Sequence, residues 1–311
     1  MSEATLKVKV DSSDLKRGKT ELGQFTKAGK DTERETTKSM GGVAKSFGVA
    51  AKAAAAAAAA IASMGIAASK AASDARPLAA ALAETLTLLE GTAAQADELT
   101  RASRALTRTY GGNSTKQLKA YYQAISAGAT SVAEATTILD QANKLAIGGV
   151  TDITTAVDGL TTAINAYAAD GLTAAQASDA MFVGMKAGKT TIGELSASLG
   201  NVIPLASAAG VSFEELVAGV AALTTQGQST SVAVTGLRAI IASVLKPTKE
   251  ASDAADELGL AFNSQALEAQ GLQGFLAQVI EKTGGSKDAM AQLFGGVEAL
   301  NPVLAFAGGA G

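Results

Sequence analysis

The chain contains no cysteine and no histidine. Without cysteine it has no disulfides, no thiolate metal sites and no thiol nucleophile. Without histidine it lacks the commonest general base and metal ligand, and no Ser-His-Asp arrangement can be built. Carboxylates alone remain for acid–base chemistry. Tryptophan is also absent, and aromatics make up only 4% of the 311 residues. What fills the apolar fraction of 47% is largely alanine. Alanine is the best helix former but buries little area per residue, so the composition favours closely spaced helices over a thick core. The length suits one large or two ordinary domains.

The formal net charge is −3. Residues 1–52 carry 11 Lys/Arg against 7 Asp/Glu, and the remainder 15 against 22. A mildly basic arm therefore precedes an acidic body, a gradient too small to argue nucleic-acid binding. Met1 is followed by polar and charged residues, and no secretory signal is read there.

Ala4–Val10 alternates, with Leu6, Val8 and Val10 apolar and Lys7 and Lys9 charged, which predicts one short strand. A lone strand must pair with another copy or a partner. Residues 11–39 read as a solvated helix or arm, and Gly41-Gly42 mark a break. Residues 53–69 hold no charge and include eight consecutive alanines, bracketed by Lys52 and Lys70. With only Ile61, Met64 and Ile66 as large apolar groups, the stretch is short for a membrane span. An Ala-rich helix packed against copies of itself is the plainer reading. Burial within one copy of residues 1–75 is too small to offset an ordering entropy of about 1–2 kcal/mol per residue, so this part is expected to order on association.

From residue 92 the punctuation is regular. Thr92–Gln95, Ser114–Gln117, Ser131–Glu134, Thr173–Gln176, Thr191–Glu194 and Ser212–Glu215 fit the capping box, in which a hydroxyl and a later Glu or Gln satisfy two orphan amides reciprocally. Gly112, Gly128, Gly149, Gly171, Gly188, Gly210 and Gly227 are placed to end the preceding helices. Pro204 should kink or end a helix after Ile203, and Pro247 should open a helix at its first position, with Lys246 outside it. Helical stripes run through Ile153, Val157, Leu160 and Ile164; through Phe213, Leu216, Val217, Val220 and Leu223; and through Leu237, Ile240, Ile241, Val244 and Leu245. The predicted fold class is all-α: a multi-helix hairpin bundle or short solenoid, preceded by a charged arm and an Ala-rich helix. The predicted divisions are 1–40, 41–75 and 76–311.

No catalytic, cofactor or metal site is predicted. Glu214 and Glu215 are adjacent, do not face each other on a helix, and suit its positive N-terminus. Arg101, Arg104 and Arg108 form a basic stripe, with Lys116 and Lys119 behind. The stripe runs into Gly111-Gly112, so it sits at a helix C-terminus, where cations are favoured, and no aromatics interleave with it. No glycine-rich phosphate loop occurs.

Four runs, in this order, resemble the core region of tail tape measure proteins of tailed bacteriophages. They are AIGGVTDITTAVDGLTTAINAY (146–167), MKAGKTTIGELSASLGNVIPLASAAGVSFEELVAGVAALTTQG (185–227), STSVAVTGLRAIIASVLKPTKEASDAADELGL (229–260) and QLFGGVEALNPVLAFAGG (292–309). The resemblance spans roughly 75–308 and implies a helical structural protein, not an enzyme, lying in the lumen of the tail tube. Its length would set how many tube rings assemble, and it would be expelled during DNA ejection. The implied partners are further copies of itself, three in number, the tail tube protein, tail tip or baseplate proteins, tail assembly chaperones and the host envelope. The implied locations are the virion tail and, during assembly, the host cytoplasm. Members of this family usually continue beyond the Ala-Leu-Asn-Pro region, so this chain is expected to be a fragment, a processed form or a short member. The competing expectation is a membrane-active pore or injection component acting through residues 53–69; a wall hydrolase using a carboxylate pair is a third.

Overall fold

The computed structural model describes residues 70–308. The expected strand at Ala4–Val10, the charged arm and the Ala-rich segment at 53–69 lie outside the described residues. Among the described residues the secondary structure is entirely helical. The fourteen helices are α1 (Lys70–Leu86), α2 (Ala93–Tyr110), α3 (Ser114–Ser126), α4 (Val132–Gly148), α5 (Ile153–Ala166), α6 (Ala174–Ala187), α7 (Ile192–Leu199), α8 (Ile203–Ala208), α9 (Phe213–Thr225), α10 (Thr230–Leu245), α11 (Lys249–Glu257), α12 (Ser264–Lys282), α13 (Lys287–Phe294) and α14 (Val297–Gly308). The chain divides into two compact units, the first running to Thr136 and the second beginning at Thr137.

In the first unit α1 packs on α3, and α3 on α2. Leu82, Leu86, Leu99, Leu118 and Tyr121 are fully buried there. Two polar links run through this core. The Thr85 hydroxyl reaches the carbonyls of Ala81 at 2.8 Å and Leu118 at 3.2 Å. The Tyr121 hydroxyl lies 2.7 Å from Thr136 Oγ1. Burial pushes the Tyr121 phenol up to about 12.

The second unit is organised around α9 and α10. Phe213, Leu216, Val217, Val220 and Leu223 on α9, with Leu237, Ile240, Ile241 and Val244 on α10, are all buried. A helix buried on more than one side must have neighbours on each. Thus α9 packs against α6 as well as α10, and α10 packs against α14. The all-helical class is the expected one, and within this unit the most extensive pairings, α6 with α9 and α10 with α14, skip over intervening helices. The two-sided apolar character of α9 and α10 accounts for that pairing. Phe262 meets Phe275 at a tilt and Phe294 edge-on, at centroid distances of 5.8 and 5.3 Å.

Candidate functional site

Thr92, Thr173, Thr191 and Ser212 each hold a full capping box, with hydroxyls accepting from the amides of Gln95, Gln176, Glu194 and Glu215. Ser131 Oγ accepts from the Glu134 amide at 3.1 Å. The Glu134 carboxylate reaches one residue further back than the box requires, accepting from Thr130 N at 2.8 Å and Thr130 Oγ1 at 2.7 Å. Those bonds hold its carboxyl below the usual range.

Three positions differ from expectation. The cap of α3 is Asn113, whose side chain accepts from the Lys116 amide at 2.8 Å, and Ser114 is the first helical residue. Asn reaches the third amide as well as a hydroxyl does, so the helix starts one residue earlier. The Ser114 hydroxyl faces Thr107 Oγ1 at 3.3 Å instead. Pro247 lies in the break between α10 and α11, but Thr248 is the cap and Lys249 the first helical residue. Lys246 is non-helical at φ −140°, ψ 73°. Pro204 is the second residue of α8 instead of ending a run, a first-turn position where its missing amide hydrogen leaves no helical bond unmade.

The glycine stops follow expectation at Gly128 and Gly210, where the left-handed turn returns two amides to the helix. Gly128 N donates to Ile125 O at 3.0 Å and Ala129 N to Ala124 O at 3.0 Å, the arrangement that satisfies the last carbonyls. Gly149 is different. The left-handed residue after α4 is Val150, at φ 51°, and Thr151 N donates back to Ala146 O at 3.0 Å. Gly149 is instead a spacer: a Cβ there would lie 2.1 Å from Ile192 Cγ1.

Close approach is the use made of several further glycines. At Gly184 a Cβ would sit 2.2 Å from Val217 Cγ1, where α6 crosses α9; one turn on, a Cβ at Gly188 would sit 2.8 Å from Ala221 Cα. Gly159 admits Ser196 where α5 meets α7: a Cβ there would lie 2.4 Å from Ser196 Oγ. Gly236 admits Pro302 where α10 meets α14: a Cβ there would lie 2.2 Å from Pro302 Cγ. Sequence reasoning treated glycine as punctuation and missed these contacts. The signal was present for Gly184, Gly159 and Gly236, since Gly in mid-helix costs about 1 kcal/mol relative to Ala, whereas Gly188 is the cap that ends α6 as expected and also allows a close approach.

A polar cluster joins three helices beside the α6–α9 crossing. Lys189 N donates to Thr224 Oγ1 at 3.1 Å, and Thr224 Oγ1 donates to Ala221 O at 2.9 Å. The Thr190 and Thr230 hydroxyls lie 2.7 Å apart, and Thr230 Oγ1 donates to Glu194 Oε2 at 3.3 Å. Glu194 also accepts from Thr191 N at 3.0 Å. These bonds occupy the carboxylate in holding the ends of α7 and α10 together, and the cluster is structural in its chemistry.

Glu214 and Glu215 both lie in the first turn of α9, where the capping box takes up Glu215. Arg101, Arg104 and Arg108 run from the middle of α2 to its end, with only Arg108 in the last turn, and Arg101 Nε donates to its own helix at Asp97 O, 3.2 Å away. Among the described residues there is no cluster of acidic side chains able to hold a metal, and no helix is long and apolar enough to cross a membrane. A shallow, mostly apolar groove of about 490 Å³ lies between α8 and α10, bounded by Pro204, Leu205, Ala208 and Arg238 among others.

The arrangement is one of caps, close crossings and outward faces. Comparison with known proteins agrees with that character. Across residues 100–295 the chain matches the family model described as phage-related minor tail protein. Over 154 residues it is 29% identical to a probable tape measure protein of Clostridium phage phiCD119, a match covering 49% of this chain and 16% of that relative. No solved structure matches it. With nearly two hundred consecutive residues matched, the chain belongs to the phage-related minor tail protein family, structural proteins of the phage tail.

Proposed function

We propose that this chain is part of a tape measure: it lies in the lumen of the tail tube, its length contributes to the length of the tail, and it leaves ahead of the DNA during ejection. The observation that carries the reading is the 154-residue similarity to a probable tape measure protein. The capped helices and glycine-mediated crossings support it, since thin helices brought close together suit a narrow lumen. The chain spans 16% of that relative, so the remaining length of such a protein would supply most of the measure. The proposed partners are other copies of the chain, three together, the tube protein, tail tip or baseplate proteins, assembly chaperones and, at ejection, the host envelope. No catalysis is assigned.

The test is genetic and structural. In-frame duplications and deletions within the helical region of the intact phage gene should lengthen and shorten the tails seen by electron microscopy. The change cannot exceed about 1.5 Å per residue, the rise of a straight helix. Tails of unchanged length in viable particles would end the length-setting reading.

A further inference from the structure

The outward face of α6 carries Asp179, Phe182, Val183 and Lys186 at the spacing i, i+3, i+4, i+7, which aligns them along one side of the helix. All four are exposed, while Ala177, Ser178, Met181 and Gly184 on the other side are buried. Phe182 and Val183 retain 36% and 62% of their surface, which is unusual for large apolar side chains side by side. Lys186 Nζ stands 6.0 Å from the Phe182 ring centroid. The apolar surface continues beyond the helix. The Phe182 ring lies where a Cβ on Gly148 would be, 2.8 Å away, and Gly148 is flanked by exposed Ile147 and followed by Val150, which is 93% exposed. Among the described residues Val150 is also the one non-glycine in the left-handed region, β-branched at φ 51°. A fully exposed valine kept in the left-handed region contributes nothing to the interior and points to a use at the surface.

The sequence of this face reads acid, apolar, apolar, base, and it is complementary to its own reversal. Turned about a two-fold axis between Phe182 and Val183, Asp179 falls opposite Lys186 and the apolar pair falls on itself. That is the property an isologous contact needs. Copies laid in the same direction would instead set Asp179 against Asp179 and Lys186 against Lys186. We propose that α6 is the centre of a two-fold, antiparallel contact between two copies of this chain, with Phe182 and Val183 buried at the axis, Asp179–Lys186 pairs on either side, and Ile147 and Val150 widening the apolar surface. Copies running one way along a tube cannot make this contact, so it belongs to the chain outside the tube. It stands without the tape-measure reading, and failed length control would leave it untouched.

The test uses the full chain in sedimentation velocity over a concentration series. The wild type should dimerise, and Val183→Asp should weaken the dimer about a hundredfold by placing an unpaired charge at the axis. Asp179→Lys and Lys186→Asp should each weaken it several-fold, and the double exchange should restore it, because the reversed pattern is again self-complementary. Circular dichroism melts check that each variant stays folded; these side chains are exposed, so the melts should be unchanged. The chain has no cysteine of its own, so introduced cysteines report cleanly on direction. An equimolar mixture of Asp179→Cys and Lys186→Cys chains should cross-link to each other, and neither should cross-link to itself. A chain monomeric throughout, a dimer indifferent to Val183→Asp, or cross-links joining 179 to 179 would each overturn the proposal.

Discussion

Gly184 on α6 meets Val217 on α9 with no room for a side chain between them: a Cβ at 184 would lie 2.2 Å from Val217 Cγ1. Two effects oppose each other when this glycine becomes alanine. The helix gains about 1 kcal/mol of intrinsic propensity. The crossing must open, and overpacking a filled interior costs about 1–3 kcal/mol. Val217 is buried and β-branched, so it cannot swing aside cheaply. Gly184→Ala is therefore expected to lower stability by about 1–2 kcal/mol in thermal or denaturant melts. Gly274 on α12 is the control, since a Cβ there meets only Gln270 Cβ at 3.5 Å. Gly274→Ala should be neutral or stabilising by up to about 1 kcal/mol. Equal effects at the two sites would show that the α6–α9 crossing is not close-packed.

Much of this fold was legible in the sequence because caps are local. Thr92, Thr173, Thr191 and Ser212 satisfy amides within three residues of themselves, and no distant contact is needed to place them. The buried stripes on α9 and α10 were legible for the same reason. Helix pairing was not, because it depends on which crossing has room. Gly184, Gly159 and Gly236 have the same local appearance as a glycine that ends a helix, and only Val217, Ser196 and Pro302 distinguish them. Gly149 shows the confusion most clearly, since Ile192 claims the space beside it and the turn passes to Val150. The α6 outward face was legible as residue types, but its exposure depends on the opposite face being the one that meets α9.

Val150→Gly should stabilise the isolated chain. The left-handed conformation costs an L-residue about 1–2 kcal/mol, and a side chain that is 93% exposed gives up almost no buried area when removed. Part of the gain is offset by the greater freedom of glycine in the unfolded chain. A net rise of about 0.5–1 kcal/mol is expected in melts, together with some weakening of the proposed dimer. A fall in stability would show that Val150 packs in the native state.

Asn113 and Ser114 separate the observed start of α3 from the one expected. Asn113→Ala removes the acceptor for the Lys116 amide and should cost about 1 kcal/mol. Ser114→Ala loses only the contact with Thr107 and should change stability by about 0.5 kcal/mol or less. The reverse order would make Ser114 the cap and start the helix one residue later. Ser212→Ala, at a full box on α9, should cost about 1 kcal/mol.

Tyr167 ties the end of α5 to the start of α9. Its hydroxyl donates to Val211 O at 2.9 Å, and its ring meets Phe213 edge-on at 5.9 Å. Tyr167→Phe keeps the ring contact and leaves a buried carbonyl short of its donor, which should cost about 1–2 kcal/mol. Burial, with smaller contributions from Asp170, Glu214 and Glu215, holds this phenol well above its ordinary value, and Tyr121 in the first unit is raised to about 12. An acid whose folded value is raised favours the native state while both forms are protonated. Its contribution is complete below about pH 10 and is lost as pH climbs towards the folded value. Phenolate absorbance should therefore appear for Tyr167 and Tyr121 only together with unfolding. Ionisation near pH 10 in a folded chain would show that these rings are open to solvent.

The acid limb is expected to come from Asp152, the cap of α5. Its carboxylate accepts from Thr155 N at 3.0 Å and Thr155 Oγ1 at 2.6 Å, and it also takes the Thr154 hydroxyl. Those three bonds, the Thr154 hydroxyl foremost, bring its carboxyl down to about 2. Here the folded value is depressed, so the sign is opposite to that of the tyrosines. The stabilisation is present above the ordinary aspartate value near 4 and is lost as pH falls from there towards 2. The group is largely exposed, so solvent screening keeps the effect small, and the measurement must compare variants instead of reading the wild type alone. Asp152→Asn keeps an acceptor for the Thr155 amide but does not titrate, so it should flatten the decline in melting temperature between pH 4 and pH 2 while changing little at pH 7. Asp152→Ala should cost about 1 kcal/mol at pH 7, the worth of an N-cap, with the difference from wild type shrinking towards pH 2. A carboxyl that titrates near 4 in the folded chain by NMR, or an Asp152→Asn curve parallel to the wild type, would show that the three hydrogen bonds do not form in solution.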